Sequence, residues 1–373
     1  MGYQCPSVRV YEVPPLNIDI ALLGAHAAQG DERPDYAMHI RQLDLAIIVS
    51  GGARTVHESR LIDKLQEGLS ESESTCMKRR RIDAATPAGD RSPVMQSAAA
   101  SPIPEIEAPT IAQFLERCPK TDTYGAPFIV RDYASNWPAL SPTHPGRPPR
   151  WADVNYLTRC AGPGRVVPVE TGSRYTDAAW GQVIMGWDEF LHRAGWDGSQ
   201  PDNSVYLAQH TLLDQFPRLA SDIHVPEYVR SKPPAPWYAH GYKSPPEPII
   251  SVWIGPGGTV SPAHTDTYYN CYIQLVGRKE VWLAPPDMRG QMYAFKSDAA
   301  DDLPLRSLMS NTSQVDVFDL PLDSPVAKHA LRAVLCPGDM LFFPPLWWHA
   351  MRALDDQVRV PCANQGFSMS MWF

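Results

Sequence analysis

Proline is the residue that most limits what this chain can fold into. The 373 residues include 38 prolines, and each one fixes φ and removes a backbone donor, which interrupts helix interiors and central strands. A mostly helical architecture is therefore not expected. From residue 109 onward, short apolar runs alternate with Pro and Gly breakers, a pattern typical of a β-sandwich or barrel. The runs are Phe128–Val130, Val166–Val169, Ile249–Ile254, Cys271–Val276, Val281–Leu283 and Met340–Phe343.

The first 69 residues have a different pattern. Apolar residues recur at helical spacing in runs that begin at Ile18, Ile40 and Leu61, and Gly51-Gly52 closes the second run. This spacing predicts a small helical N-terminal module over residues 1–69.

Two further stretches follow the module. Residues 70–108 combine a Ser/Glu run, a basic cluster and a Pro/Ala/Ser-rich segment, which predicts a disordered linker. Residues 109–373 are predicted to form one mixed α+β domain, mainly β, with flanking helices. The helices are expected near Trp151–Arg159, Trp187–Ala194 and Leu212–Ile223.

Charge and cysteine content exclude several classes of protein. The formal net charge of −8 gives no general attraction to nucleic acid. The 7 cysteines are odd in number and form no close pair, which argues against a disulfide framework and fits a reducing compartment. No apolar run approaches the roughly 18 residues of a membrane span. The basic cluster Lys78–Arg81 is either a nuclear import signal or a merely solvating charge cluster, so a nuclear or cytoplasmic location, or both, is expected.

His264, Asp266 and His349 form the most informative set of polar residues. Side chains two residues apart on a strand point to the same face, so a short extended segment can present His264 and Asp266 together. His349 must then come from a distant strand that lies alongside. Two imidazoles and one carboxylate suit Fe(II) with open positions better than structural zinc, which prefers four closed ligands. The alternatives are a chance His-x-Asp pair and a core histidine that follows tryptophans.

A second signal lies in the turn Val276-Gly277-Arg278-Lys279. A glycine at the first central position predicts a two-residue type II′ hairpin. In a regular hairpin, Lys279 and Asn270 would point to the same interior face, downstream of the proposed ligands. A buried lysine needs an anionic partner, and a dicarboxylate cosubstrate would supply one. The alternative is that Lys279 is a solvated turn residue.

Several segments in this order resemble the JmjC oxygenases. The resemblance covers about residues 109–373, and the N-terminal module loosely. The matching segments are Val205–His210, Asp214–Pro217, Val252–Asp266 with Asn270 and Gln274, Gly277–Lys279, Pro285-Pro286, Gly338–Pro344, Trp348-His349 and Phe367–Trp372.

The resemblance implies a double-stranded β-helix, a cupin-like jelly roll that binds Fe(II), 2-oxoglutarate and O2. In this family pattern His264, Asp266 and His349 hold the iron, and Lys279 pairs with the distal carboxylate of 2-oxoglutarate. Ser261 and Tyr206 match the hydroxyl partners of that lysine, Asn270 matches a further cosubstrate contact, and Gln209 falls where the family places a polar residue near the site. Each also has an ordinary structural interpretation, as core packing, as a turn residue or as a partner of the backbone. Ser370 falls where some relatives carry an amide, which leaves that contact open.

Such a site oxidises a C–H bond of a protein or peptide substrate, which includes the possibility of a chromatin-associated protein. Hydroxylation of a side-chain carbon, for example an arginyl carbon, leaves a stable alcohol. Hydroxylation of an N-methyl group on lysine releases formaldehyde and so removes the methyl group. The sequence has no zinc-finger pattern and no obvious chromatin-reading module, which favours a protein hydroxylase over a demethylase. A non-catalytic JmjC scaffold is the third possibility, and the intact triad with Lys279 argues against it.

Overall fold

A computed structural model describes residues 35–50, 61–67, 100–172, 174, 176, 180–295, 309–321, 323–355 and 364–373. The predicted helical run at Ile18, the Gly51-Gly52 stop and the basic cluster Lys78–Arg81 lie outside these residues, so the import signal stays a prediction.

Two sheets face each other and form the body of the fold. The small sheet has the strand order β1-β10-β9-β12-β7, and the large sheet has the order β2-β11-β8-β13-β6-β5-β3-β4. All neighbours pair antiparallel except β1 with β10. The mainly β class of fold predicted from the sequence, with two facing sheets, is confirmed. The strands are β1 (Ser101–Pro102), β2 (Phe128–Val130), β3 (Val166–Thr171), β4 (Gly181–Gly186), β5 (Val205–His210), β6 (Ile249–Pro256), β7 (Val260–Thr265), β8 (Asn270–Val276), β9 (Lys279–Ala284), β10 (Leu331–Leu335), β11 (Met340–Phe343), β12 (Trp348–Ala353) and β13 (Gln365–Trp372).

Short helices flank the sheets. Five 3-10 turns accompany them within the described ranges: Pro138–Leu140, Arg150–Ala152, Pro217–Asp222, Glu227–Arg230 and Pro286–Gly290. No helix in those ranges is long and apolar enough to cross a membrane. The helices are α1 (Tyr36–Ser50), α2 (residues 61–67), α3 (Ile111–Arg117), α4 (Val154–Ala161), α5 (Trp187–Arg193), α6 (Leu212–Gln215) and α7 (Pro325–His329).

Strand β11 shows why the apolar runs in this sequence are continuous rather than alternating. Met340 and Phe342 face the large core between the eight-stranded sheet and the flanking helices, whereas Leu341 and Phe343 face the core between the two sheets. Both faces of the strand are therefore buried, and every position must be apolar. The triad and Lys279 belong to strands of the small sheet or directly follow one, so the site lies inside the sandwich.

Helix boundaries follow local chemistry more closely than apolar periodicity. The helix predicted at Trp151–Arg159 is a 3-10 turn followed by α4, because the Asp153 side chain caps the backbone N–H of Asn155 and starts the helix there. The helix predicted over Leu212–Ile223 ends after one turn at Gln215. Pro217 cannot donate to the helix, and the chain continues as a 3-10 turn.

The folded domain begins before the predicted boundary at residue 109. Strand β1 pairs with β10, and the Ile103 backbone N–H donates to the Arg332 carbonyl at 3.1 Å. The Ile103 side chain is buried in the core between the sheets. The last part of the predicted linker is therefore ordered against the small sheet, and the division of the chain into three regions otherwise stays a prediction.

The predicted hairpin at Gly277 is wrong. Strand β8 pairs with β11 and β13 in the large sheet, whereas β9 pairs with β10 and β12 in the small sheet. The two-residue turn therefore carries the chain from one sheet to the other. Gly277 has φ +68°, and an added Cβ would lie 1.9 Å from the Gln365 carbonyl oxygen, so only glycine fits this crossing.

Candidate metal centre and cosubstrate pocket

The three predicted metal ligands converge at the end of strand β7. His264 on β7 pairs directly with His349 on β12, and Asp266 follows immediately after β7. The imidazole centroids of the two histidines are 4.1 Å apart, and His349 Nε2 lies 3.5 Å from Asp266 Oδ2. One ligand atom from each residue lies within 4.8 Å of the others. A single cation can therefore contact all three.

Backbone hydrogen bonds orient both imidazoles. His264 Nδ1 donates to the Pro262 carbonyl at 2.8 Å, and His349 Nδ1 donates to the Trp347 carbonyl at 3.0 Å. A carbonyl oxygen only accepts, so the proton of each neutral ring resides on Nδ1 and the Nε2 lone pair is available. Each ring is held by the residue two positions earlier on its own chain segment, which is a local and rigid restraint.

The charge states of these residues suit a cation. Burial, with a smaller effect from His349, lowers the pKa of His264 to about 4, so its ring is neutral near pH 7. Burial alone would raise the pKa of Asp266, but interactions with His349, and smaller ones with His264 and the Trp372 indole, outweigh it and the net pKa is lowered. A neutral His264 ring and an ionised Asp266 carboxylate are the protonation states that metal ligands need. The donor set fits Fe(II) with open coordination positions.

Lys279 is buried in the same pocket and points at three hydroxyl groups. Its Nζ lies 2.9 Å from Ser368 Oγ, 3.0 Å from Tyr272 Oη and 3.3 Å from Tyr206 Oη. Only 3% of the residue is exposed, and in the described part of the chain no carboxylate pairs with the amine. Burial lowers the pKa of Lys279 to about 7. The cluster is built to receive an anion, which would restore the charge of the amine.

The other predicted cosubstrate residues reach the pocket in different ways. Ser261 and Gln209 line it, and the Ser261 hydroxyl lies against Tyr206. Asn270 donates from Nδ2 to Ser370 Oγ at 3.0 Å, and its Oδ1 is buried without a hydrogen-bond partner among the described residues. Asn270 and Lys279 share the pocket, although they come from facing sheets rather than from the two strands of one hairpin.

Two lysine partners, Tyr272 and Ser368, were missed from the sequence. Both positions carry a usable signal. Tyr272 lies two residues from Asn270 on β8, so strand alternation places both on one face. Ser368 and Ser370 alternate with Met369 and Met371 on β13, a pattern that marks one polar inward face. Ser261, by contrast, is not among the hydrogen-bond partners of Lys279 in the described chain.

A third group of residues lines the same pocket. Glu170 on β3 is 6% exposed, and its Oε1 has no hydrogen-bond partner within the described ranges. Burial raises the pKa of Glu170 to about 7, and the Trp180 indole offsets part of the rise. Trp253 and Trp372 also line this region, with ring centroids 5.6 Å apart and planes at 83°. Nothing in the local sequence distinguishes Glu170 from a solvated strand residue, so it was missed.

A charged pair lies beside this group. Arg174 lines the pocket, and its Nη1 contacts Asp316 Oδ2 at 2.7 Å. The charge of Arg174 is thereby balanced by Asp316 and does not compensate Glu170. The pocket therefore has an uncompensated cation at Lys279 and an uncompensated buried carboxyl at Glu170.

Comparison with known proteins gives one family. A family model described as a cupin-like domain matches residues 123–373. Jumonji C domain-containing protein 5 of Drosophila melanogaster is 32% identical over 73% of this chain and 59% of its own length. Lysine-specific demethylase 8 of Xenopus tropicalis is 34% identical over 75% of this chain and 54% of its own length. The chain thus spans little more than half the length of these two relatives.

A more distant human relative is named for a different reaction. The bifunctional peptidase and (3S)-lysyl hydroxylase JMJD7 is 24% identical over 60% of this chain and 72% of its own length. The names of the relatives therefore include both a demethylase and a hydroxylase.

Proposed function

The chain belongs to the cupin-like JmjC family, whose members include 2-oxoglutarate-dependent oxygenases, and from that premise we propose that it hydroxylates an arginyl side chain of a protein substrate. Family members generally use Fe(II) and 2-oxoglutarate. The residues of this chain that carry the proposal line one pocket.

His264, Asp266 and His349 would hold Fe(II), and Lys279 would hold the distal carboxylate of 2-oxoglutarate. When bound, these groups and O2 convert a substrate C–H to C–OH, while 2-oxoglutarate loses CO2 and becomes succinate. The Pro262 and Trp347 carbonyls orient the two histidine rings, and burial shields the Lys279 amine from water. Lys279, Tyr272 and Ser368 supply charge-assisted and neutral hydrogen bonds to a carboxylate.

Asn270 would complete the cosubstrate contacts. Its amide side chain has one free end within the described structure, and rotation of that amide by half a turn would present Nδ2 to the pocket while Ser370 donates to Oδ1. A carboxylate or keto oxygen of the cosubstrate is an acceptor that this orientation satisfies.

Glu170 is the observation that carries the choice of substrate. A buried carboxylate that lacks a partner costs several kcal/mol, and a cationic side chain removes that cost. A guanidinium offers a planar fork of donors that can bind both carboxylate oxygens at once. The faces of Trp253 and Trp372 suit a flat cation as well. An arginine whose guanidinium binds Glu170 would have its aliphatic carbons in the same pocket as the three metal ligands.

Demethylation of N-methyl-lysine is the second candidate, and the two tryptophans that line the pocket favour it. Aromatic rings bind methylated ammonium groups by cation–π attraction. A trimethylammonium group has no N–H, however, and would leave Glu170 Oε1 without a hydrogen bond. The carboxylate therefore favours arginine over trimethyl-lysine, and lower methylation states are intermediate.

Mass spectrometry of treated peptides tests the proposal. The purified chain is incubated with Fe(II), 2-oxoglutarate and peptide pools that carry either arginine or N-methyl-lysine. We expect succinate formation and the gain of one oxygen atom on arginine, and the loss of a methyl group from lysine would support the second candidate instead. His349→Ala is the inactive control. A chain that binds neither metal nor 2-oxoglutarate would be a scaffold, and the oxygenase proposal would fail.

A further inference from the structure

We infer that Asp44 of helix α1 is a positioning residue for the substrate-side wall of the pocket, defined here as Glu170 on β3 with Ala208 and Gln209 on β5. The inference rests on the proposed function for its meaning, but its geometry is independent of it. Asp44 contacts neither the wall nor the metal ligands, and it acts through a buried hydrogen-bond network.

The network begins with a buried ion pair between the N-terminal helix and the oxygenase domain. Arg165 Nη2 and Nε both donate to Asp44, at 2.6 Å and 2.9–3.0 Å respectively. Asp44 is fully buried and Arg165 is 6% exposed. The Arg165 guanidinium also lies 4.6 Å from the centre of the Phe216 ring. The pair is shielded from water, so its attraction is far stronger than that of a surface pair.

Asp44 also fixes the first residue of β3. The Val166 backbone N–H donates to Asp44 Oδ2 at 2.9 Å, and the Val166 carbonyl accepts from Gln215 Nε2 at 2.7 Å. Glu170 lies four residues further along the same strand. A strand pairs with its neighbours along its length, so a restraint at Val166 sets the position at which Glu170 enters the pocket.

The same cluster fixes the end of β5. Arg165 Nη2 donates to the Gln215 carbonyl at 2.8 Å, and Gln215 Oε1 accepts from His210 Nε2 at 2.6 Å. His210 is the last residue of β5. The chain Asp44–Arg165–Gln215–His210 is buried throughout.

Strand β5 needs this restraint because its pairing is interrupted where it meets the pocket. Leu207 pairs with Ile254 on β6, and His210 pairs with Val252. The register of the β5–β6 ladder shifts between these two pairs. The two residues inside the shift are Ala208 and Gln209, which line the pocket, and Gln209 has φ +47°. A non-glycine residue in that region is strained and persists only when its surroundings determine it. His210 is the nearest anchor, and Gln215 holds it.

A second contact seats the helical module on the turn that leads into β3. Gln66 Nε2 donates to the carbonyls of Ala161 and Pro163, each at 3.0 Å. Gly162 between them has φ +75°, and a Cβ there would lie 2.3 Å from Gln66 Oε1. An exposed pair between Arg218 and Asp63, at 3.1 Å, joins the helical module to the 3-10 turn Pro217–Asp222. Asp63 is half exposed and its partner does not lie in a strand, which makes it the matched control.

The test compares three variants of the full chain by amide hydrogen exchange. Asp44→Asn leaves Arg165 without its anion, and the double variant Asp44→Leu with Arg165→Met replaces the buried pair by apolar groups without stranding a charge. Asp63→Asn removes only the exposed pair. We expect about tenfold faster exchange in β3 and β5 of both Asp44 variants, with unchanged exchange in β8, β9 and β13. Asp63→Asn should match the wild type throughout.

Two binding measurements separate positioning from general stability. The affinity for 2-oxoglutarate, measured with Mn(II), should change less than about threefold, because Lys279, Tyr272 and Ser368 lie on other strands and only Tyr206, the most distant of the three hydroxyl partners, lies on β5. Where arginine peptides are turned over, their KM should rise by about tenfold with kcat nearly unchanged. Faster exchange in all strands of the Asp44 variants would overturn the inference. Exchange rates in β3 and β5 equal to those of the wild type would also overturn it. Absence of turnover in the wild type would contradict the proposed function. The role of Asp44 would then be tested by the hydrogen-exchange comparison, which does not depend on turnover.

Discussion

The protonation of Lys279 makes the affinity for 2-oxoglutarate depend on pH in a direction that can be worked out. In the free protein the pKa of Lys279 is lowered to about 7 by burial. A carboxylate at hydrogen-bond distance raises that pKa again, so the complex holds the charged amine. Binding above pH 7 must therefore take up a proton. The affinity is full below the pKa of the free protein and falls as pH rises above it.

The magnitude follows from the same linkage. Lys279 has a pKa of about 7 in the free protein. The dissociation constant for 2-oxoglutarate should therefore be about tenfold larger at pH 8 than at pH values well below 7, and about a hundredfold larger at pH 9. Each pH unit costs about 1.4 kcal/mol of binding free energy. At pH 8 about 0.9 proton should be taken up per molecule bound.

Anaerobic calorimetry with Mn(II) in buffers of different ionisation enthalpy measures both quantities. Pyruvate, which lacks the distal carboxylate, should bind weakly and with no pH dependence from Lys279. Lys328→Met changes an exposed lysine on α7 and should behave as the wild type. A Glu170→Gln background removes a second pocket group whose pKa is about 7. A 2-oxoglutarate affinity that stays flat between pH 7 and 9 would refute the argument.

Three further predictions concern the rest of the pocket. Glu170→Gln should raise KM for an arginine substrate by about ten- to a hundredfold, while the 2-oxoglutarate affinity is kept. Turnover by the wild type should rise through pH 7 as the Glu170 carboxyl ionises. Steady-state kinetics measure both effects. Asp266→Asn should weaken Mn(II) binding by at least about a hundredfold, measured by paramagnetic resonance, and unchanged binding would exclude Asp266 as a ligand. Tyr272→Phe and Ser368→Ala should each weaken 2-oxoglutarate binding by about 1 kcal/mol, whereas calorimetric equality with the wild type would remove them from the cosubstrate site.

The sequence predicts the elements whose cause is local. Continuous apolar runs such as Met340–Phe343 are strands buried on both faces, and their positions are confirmed. The spacing of His264 and Asp266 places both at one strand end, and the structure brings His349 beside them. These features depend on strand periodicity, which is written in neighbouring residues.

The remainder depends on contacts between distant segments. A tight turn with glycine looks the same whether it joins two paired strands or crosses between sheets, so the partners of β8 and β9 could not be read from Gly277. Glu170 is one acidic residue in a short strand, and only the burial of β3 beneath the rest of the fold makes it significant. The Asp44–Arg165 pair joins residues 121 positions apart, and no pattern in the sequence around either residue predicts it.

The register between β9 and β12 has a consequence for the choice of cosubstrate. His349 pairs with Leu283 and Ala353 pairs with Lys279, so the metal row and the amine row are four rungs apart on one ladder, or about 13 Å between backbones. The distance between the proposed metal ligand His349 and the Lys279 amine is therefore fixed by the pairing of β9 with β12, and it would limit the length of a dicarboxylate that can reach both. A slip of one rung would turn Lys279 out of the pocket, and a slip of two would change the gap by more than the length of several carbon–carbon bonds. For the proposed cosubstrate, the length of the acid would thus be set by sheet pairing, and substitutions that change the accepted length would belong in the β9–β12 ladder rather than in the pocket lining.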